Sequence, residues 1–143
     1  MIRKEAKEPA IAEKKVIENA IKKVLEEDPE ISFAYIHGSF VKGGDFNDID
    51  LAIYLKNPPL SPLDYELKME TELMDAVGSH PIDVRVLNVS PLSFRYNVIK
   101  GGVLLIVRDD DKRTDFHEAT LSNYLDFVLY RNLYLKETLG LRV

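Results

Sequence analysis

Apolar residues along the chain fall into blocks whose spacing switches between the helical and the strand period. From about Pro9 to Glu27, Ile17, Ala20, Ile21, Val24 and Leu25 recur at helical spacing, and Asp28-Pro29 ends the pattern, which predicts an amphipathic helix. Ser32 to His37 alternates and runs into Gly38, as a strand ending in a tight turn does, and Asp48 to Leu55 reads as a second strand. Asn57 to Pro62 carries three prolines and must be a loop. Ser61 is placed to cap the next helix, with Pro62 in its first turn and Asp64 completing a capping-box pattern. Leu63, Leu67, Met74 and Val77 are expected to share its apolar face, and Gly78 to stop it.

Pro81 precedes a strong strand from Ile82 to Leu87, and Ser90-Pro91 opens a short helix ending at Gly101-Gly102. Val103 to Val107 reads as a buried strand leading to a polar loop, Asp109 to Arg113, and a last helix runs from about Asp115 to Leu139. With no internal repeat and no linker, one α/β (α+β) domain over residues 1–143, a small mixed sheet flanked by helices, is the economical expectation.

The last helix is unusual. Tyr124 to Leu135 leaves only Asp126, Arg131 and Asn132 polar, more apolar surface than one stripe against the chain's own domain can use. A second copy of the chain, a wholly internal position, or a different protein partner would each cover it.

Composition narrows the function classes. At 143 residues the chain can bury a real core but has no length for a second substrate domain. Lys and Arg total 19 against 24 Asp and Glu, a net charge of -5, so no broad basic surface is available for a phosphate backbone and direct nucleic-acid binding is not expected. Without cysteine there is neither a disulfide framework nor a thiolate site. The first ten residues are charged and no apolar run is long enough to cross a bilayer, so a cytoplasmic protein is expected.

The chemistry concentrates in two places. Asp48 and Asp50 are expected on one side of their strand, with Ile49, Leu51 and Ile53 on the other. Two adjacent carboxylates repel unless water or a hard divalent cation lies between them, and Mg²⁺ is the usual ion where phosphates also bind. A bare Asp-x-Asp is equally compatible with an exposed strand edge. Just upstream, Gly38-Ser39 opens a glycine-rich turn, Phe40 to Gly44, that contains Lys42, and such a turn lets backbone amides approach an anion closely. On the later strand Asp83 and Arg85 share a face, so Asp83 either joins the two upstream acids or pairs with Arg85, and Arg85 either neutralises an acid or meets a phosphate. His37, His80 and His117 lie too far apart for a local metal pattern, and His37 reads as a half-buried strand residue rather than a base. Asp109-Asp-Asp111 reads as a solvated turn.

Taken together, His37-Gly-Ser-Phe-Val-Lys-Gly-Gly-Asp-Phe-Asn-Asp-Ile-Asp-Leu-Ala52 resembles the signature of the DNA polymerase β-like nucleotidyltransferase superfamily, a Gly-Ser pair followed by Asp-x-Asp. Adding Ile82-Asp-Val-Arg-Val-Leu-Asn88 and Pro91-Leu-Ser-Phe-Arg-Tyr-Asn-Val-Ile-Lys-Gly101, the chain from about Phe33 to Tyr134 is similar to the minimal nucleotidyltransferase (MNT) antitoxins. The resemblance implies a single nucleotidyltransferase-type domain. It also implies that Gly38, Ser39 and Lys42 hold a triphosphate, that Asp48, Asp50 and Asp83 bind Mg²⁺ and catalyse, and that AMP is transferred from ATP to a tyrosine of a HEPN-domain toxin. A member that neutralises its partner by binding alone, or one acting on a small molecule, is the alternative. Eight residues separate Ser39 from Asp48, fewer than the family pattern has, so the turn must be tighter here.

Overall fold

The computed structural model describes residues 11–43, 46–78 and 80–140. Helix α1 (Ile11–Glu26) leads into β1 (Ile31–His37), a single helical turn α2 (Ser39–Lys42), β2 (Ile49–Leu55), α3 (Pro62–Val77), β3 (Ile82–Val86), a 3₁₀ turn (Leu87–Val89), α4 (Leu92–Gly101), β4 (Val103–Val107) and α5 (Asp110–Leu139). The predicted start of the first helix at Pro9, and Gly44 of the expected turn, lie outside the described residues.

The strands form one sheet in the order β3-β2-β1-β4. β1 is antiparallel to both β2 and β4, and β2 is parallel to β3, so the sheet is mixed. Alternation along the strands gives it two apolar faces. One carries Ala34, Ile36, Leu51, Ile53 and Val84 and packs with Ile17, Ile21 and Leu25 of α1 and Met69 and Leu73 of α3. The other carries Phe33, Tyr35 and Ala52 and packs with Val98 of α4 and Phe116 of α5. The result is a helix-sheet-helix sandwich of the α+β class.

Local chemistry explains the element ends. Ser61 Oγ accepts from the Asp64 amide at 3.2 Å, and Gly78 takes the left-handed conformation that closes α3 by donating to Met74 O. Arg108 fastens the other end of the sheet by donating to the carbonyls of Glu26, Asp28 and Ile31 at the end of α1.

Five expectations need correction. Val103 to Val107 is a strand but not a buried one: β4 lies at the sheet edge, where only Leu105 is buried and Val103 and Val107 are exposed. Asp109 to Arg113 is not a loop: Asp109 accepts from the Lys112 amide at 3.0 Å and caps α5, whose first turn holds Asp110 and Asp111 where a helix N-terminus favours acids. Phe40 to Gly44 is not wholly a turn, because Ser39–Lys42 winds into α2 with Phe40 buried beneath it. Asp48 stands just ahead of β2, not in it. In α3 the apolar face of Leu63, Leu67 and Met74 is exposed, and the helix instead buries Met69 and Leu73, with Tyr65 and Val77 packed beside them.

That rotation of α3 has a purpose at the sheet edge. Glu66 and Glu70, one turn apart on the helix, accept from the amides of Val86 (2.9 Å) and Val84 (2.8 Å) on the outer side of β3. An edge strand would otherwise offer those amides to another chain.

Candidate active site

The two strand pairings meet at one rung. His37 at the end of β1 is opposite Asp50 near the start of β2, and Asp50 is level with Asp83 near the start of β3. The three side chains therefore lie in a row on the sheet face that α4 covers, with Tyr35, Ala52 and Arg85 two residues inward of His37, Asp50 and Asp83. The row forms part of a cleft of about 430 Å³ lined by His37, Asp50, Asp83, Arg85, Ser90, Pro91 and Phe94. Phe94 meets the His37 ring edge-on at 5.5 Å.

Electrostatics in the row are strained in one direction. Burial pushes the Asp50 carboxyl above its ordinary range, His37 pulls it back, and the neighbouring charges of Asp83 and Asp48 push it up again. Burial holds His37 below the usual histidine value, against the pull of Asp50 and Asp83. His37 Nε2 is buried with no hydrogen-bond partner among the described residues. Arg85 Nε donates to Asp83 Oδ2 at 3.2 Å, and this contact, with the Asp83 charge, raises the guanidinium's already high pKa.

Gly38 joins β1 to α2 with φ 80° and ψ -155°, a conformation open essentially to glycine alone. A Cβ on residue 38 would also collide with the Asp50 carboxylate. The glycine is thus required by the acid as well as by the turn. Ser39 and Lys42 are exposed on α2, and neither is among the cleft-lining residues. The shortened connection after α2 is anchored by Phe46, whose ring stands at 4.7 Å and 79° to that of Phe40, and Lys14 donates to Phe40 O at 2.9 Å while lying over both rings.

The structure thus brings Asp50 and Asp83 together and places Gly38 against them, with exposed Asp48 near enough to act on Asp50 through space. The donors are of the right kind for Mg²⁺, since hard oxygens on adjacent strands relieve their repulsion by sharing a cation. As the side chains stand, no three ligand-type groups among the described residues surround a common point. Sequence reasoning did not place Ser90, Pro91 or Phe94 in the cleft. The only signal available was the Ser-Pro helix start directly after the Asp83 strand, which brings α4 back over the sheet.

A further hollow lies beside the cleft. Pro91, Leu92, Ser93, Tyr124 and Phe127 surround about 240 Å³, and Pro91 borders both spaces. Tyr124 stacks on Tyr96 of α4 at 3.8 Å, and beyond it α5 carries exposed Leu125, Leu129, Tyr130, Leu133 and Tyr134. No helix among the described residues is long and apolar enough to cross a membrane.

This frame has counterparts. The family model described as Polymerase beta, Nucleotidyltransferase matches residues 19–111. No curated protein matches the chain. Among solved structures, a chain of the tri-AMPylated Shewanella oneidensis HEPN toxin in complex with MNT antitoxin aligns with TM-score 0.69 and 20% identity over 88% of this chain and 98% of that one. A chain of the MntA-HepT toxin-antitoxin structure gives 0.67 and 21% over 87% and 98%. One from a toxin-antitoxin structure with AMP-PNP gives 0.70 and 22% over 85% and 98%. At such identities the likeness is one of fold. The family match is of another order: it runs from within α1 to the start of α5, takes in all four strands and every residue of the Gly-Ser and acidic motifs, and by it the chain belongs to the Polymerase beta nucleotidyltransferase family.

Proposed function

We propose that the chain is a Mg²⁺-dependent adenylyltransferase that acts as the antitoxin of a HEPN/MNT pair, moving AMP from ATP onto a tyrosine of the partner toxin in the cytoplasm. The observation that carries this reading is the register of Asp50 with Asp83 beside a cleft, next to a glycine-started turn that ends β1. The solved structures of like fold support the choice of acceptor and nucleotide, since one is described as holding an AMPylated HEPN toxin and another AMP-PNP.

In this reading Asp48, Asp50 and Asp83 hold the ion, and Gly38, Ser39 and Lys42 meet the triphosphate. Bound magnesium would neutralise phosphate charge and stabilise the attacking and departing oxygens. The tyrosine oxygen bonds to the α-phosphorus of ATP as the bond to pyrophosphate breaks, and the phenolic proton passes to Asp83. The protein's work is chiefly to position and to neutralise. The hollow that adjoins the cleft at Pro91, continued by the apolar outer half of α5, is the surface on which the toxin would dock to bring its tyrosine to the site.

Binding without catalysis is the second reading, favoured by the dispersed acids and by the ion pair on Asp83. Incubating the chain with labelled ATP and Mg²⁺, with and without the HEPN protein, separates the two. Label on the toxin that is lost when its tyrosines, but not its serines, are replaced is the expected result. A stable complex that never acquires label establishes the second reading instead.

A further inference from the structure

Arg85 is a cation set against the acidic row. It follows Asp83 by two residues on the same face of β3, its Nε lies 3.2 Å from Asp83 Oδ2, and both side chains remain about half exposed, at 56% and 48%. It lines the cleft together with Asp50 and Asp83, and its partner in the sheet register is Ala52. An arginine in this position competes with a divalent ion for the negative charge of one carboxylate. While it pairs with Asp83, it engages Oδ2 and offsets the charge that would draw a divalent ion to that carboxylate. Once an ion takes that carboxylate, the guanidinium loses its partner within the same cleft and requires another anion.

We propose that Arg85 exchanges partners, neutralising Asp83 while the site is empty and transferring to a phosphate oxygen of the nucleotide when metal and triphosphate enter together. The proposal rests on the nucleotidyl-transfer reading above and specifies how that site is kept charge-balanced. It lowers the ion affinity of the nucleotide-free protein and so couples ion binding to the arrival of the triphosphate.

The test uses Arg85→Gln, Arg85→Leu and Arg85→Lys in the full chain, with Mn²⁺ titrated by electron paramagnetic resonance in the absence of nucleotide, and ATP binding measured calorimetrically with and without Mg²⁺. Removing the competing charge should tighten nucleotide-free Mn²⁺ binding by roughly two- to fivefold, the range an exposed ion pair can supply. The same variants should weaken Mg²⁺-dependent ATP binding on the order of tenfold, with Lys intermediate in both measurements. Circular dichroism melting controls for folding, which an exposed side chain should leave intact. If wild-type protein binds Mg²⁺-ATP while Gln and Leu leave Mn²⁺ affinity unchanged or lower, the exchange is refuted and the function is not. If the variants gain Mn²⁺ affinity without losing ATP affinity, the second half of the exchange is refuted. Wild-type protein that binds ATP no better with Mg²⁺ than without overturns the nucleotidyl-transfer reading and the exchange with it.

Discussion

The Oδ2 atom of Asp50 stands where a side chain on residue 38 would begin. Gly38→Ala must therefore distort the backbone from a glycine-only conformation and displace the acid at the same time. The expected loss is about 1–3 kcal/mol for the backbone alone, with a further steric cost. Urea denaturation should register both, and placing Gly38→Ala in an Asp50→Gly background should recover the steric part only. A Gly38→Ala protein as stable as wild type would show that the turn relaxes freely.

Asp50→Asn should abolish AMP transfer yet raise thermal stability at neutral pH. Because folding raises the Asp50 pKa, the native state favours the protonated acid, and the stability this contributes is full below the ordinary aspartate value of 3.8 and lost as pH rises through the raised one. The mutant escapes that loss. Its advantage over wild type should open as pH climbs from the acid side and close again on acidification, as followed by Tm across pH 3 to 8. An advantage constant with pH would assign the effect to packing.

Glu66→Ala and Glu70→Ala each remove a charged acceptor from an edge amide, at a cost of about 1–3 kcal/mol. Glutamine at either position keeps an acceptor and should cost less. The double alanine variant should self-associate on size exclusion, since Val84 and Val86 then present bare donors at the sheet edge. Monomeric behaviour with unaltered stability would mean that the two contacts contribute nothing.

Phe127 and Tyr134, 49% and 50% exposed on α5, sit in and beyond the hollow next to the cleft. Replacing both with Asp should prevent co-elution with the HEPN partner and stop AMP transfer, while calorimetric ATP binding by the isolated chain persists. Normal modification of the partner by this variant would place the docking surface elsewhere.

What could be read from the sequence followed from periodicity and from turn chemistry. Ile17, Ile21 and Leu25 declared α1's buried face, and Ser61 and Gly78 declared both ends of α3, because each signal is local. The rotation of α3 was not legible: Leu63, Leu67 and Met74 form as good a stripe as Tyr65, Met69 and Leu73, and the choice is made by Glu66 and Glu70 reaching an edge strand remote in sequence. α2 escaped notice because four residues carry no period. Asp109 did carry a capping signal, masked by the two acids behind it. The acids of the site could be named from their motif, but the rung joining His37, Asp50 and Asp83 depends on the strand order, which no local pattern encodes.

That rung is tied to the interior by parity. Sliding β2 one residue along its neighbours would carry Asp50 to the opposite face and turn Ile49, Leu51 and Ile53, all fully buried, towards the other layer. The slip would carry the Asp50 carboxylate into the apolar layer under α1 and α3 and press a bulkier side chain into the place of Ala52, so it is prohibited by packing and not by any contact the acids make themselves. Volume-conserving drift in those aliphatic positions leaves the carboxylates where they are. A row of side chains held in this way depends on the parity of its strands and not on the exact identity of the aliphatic residues between them.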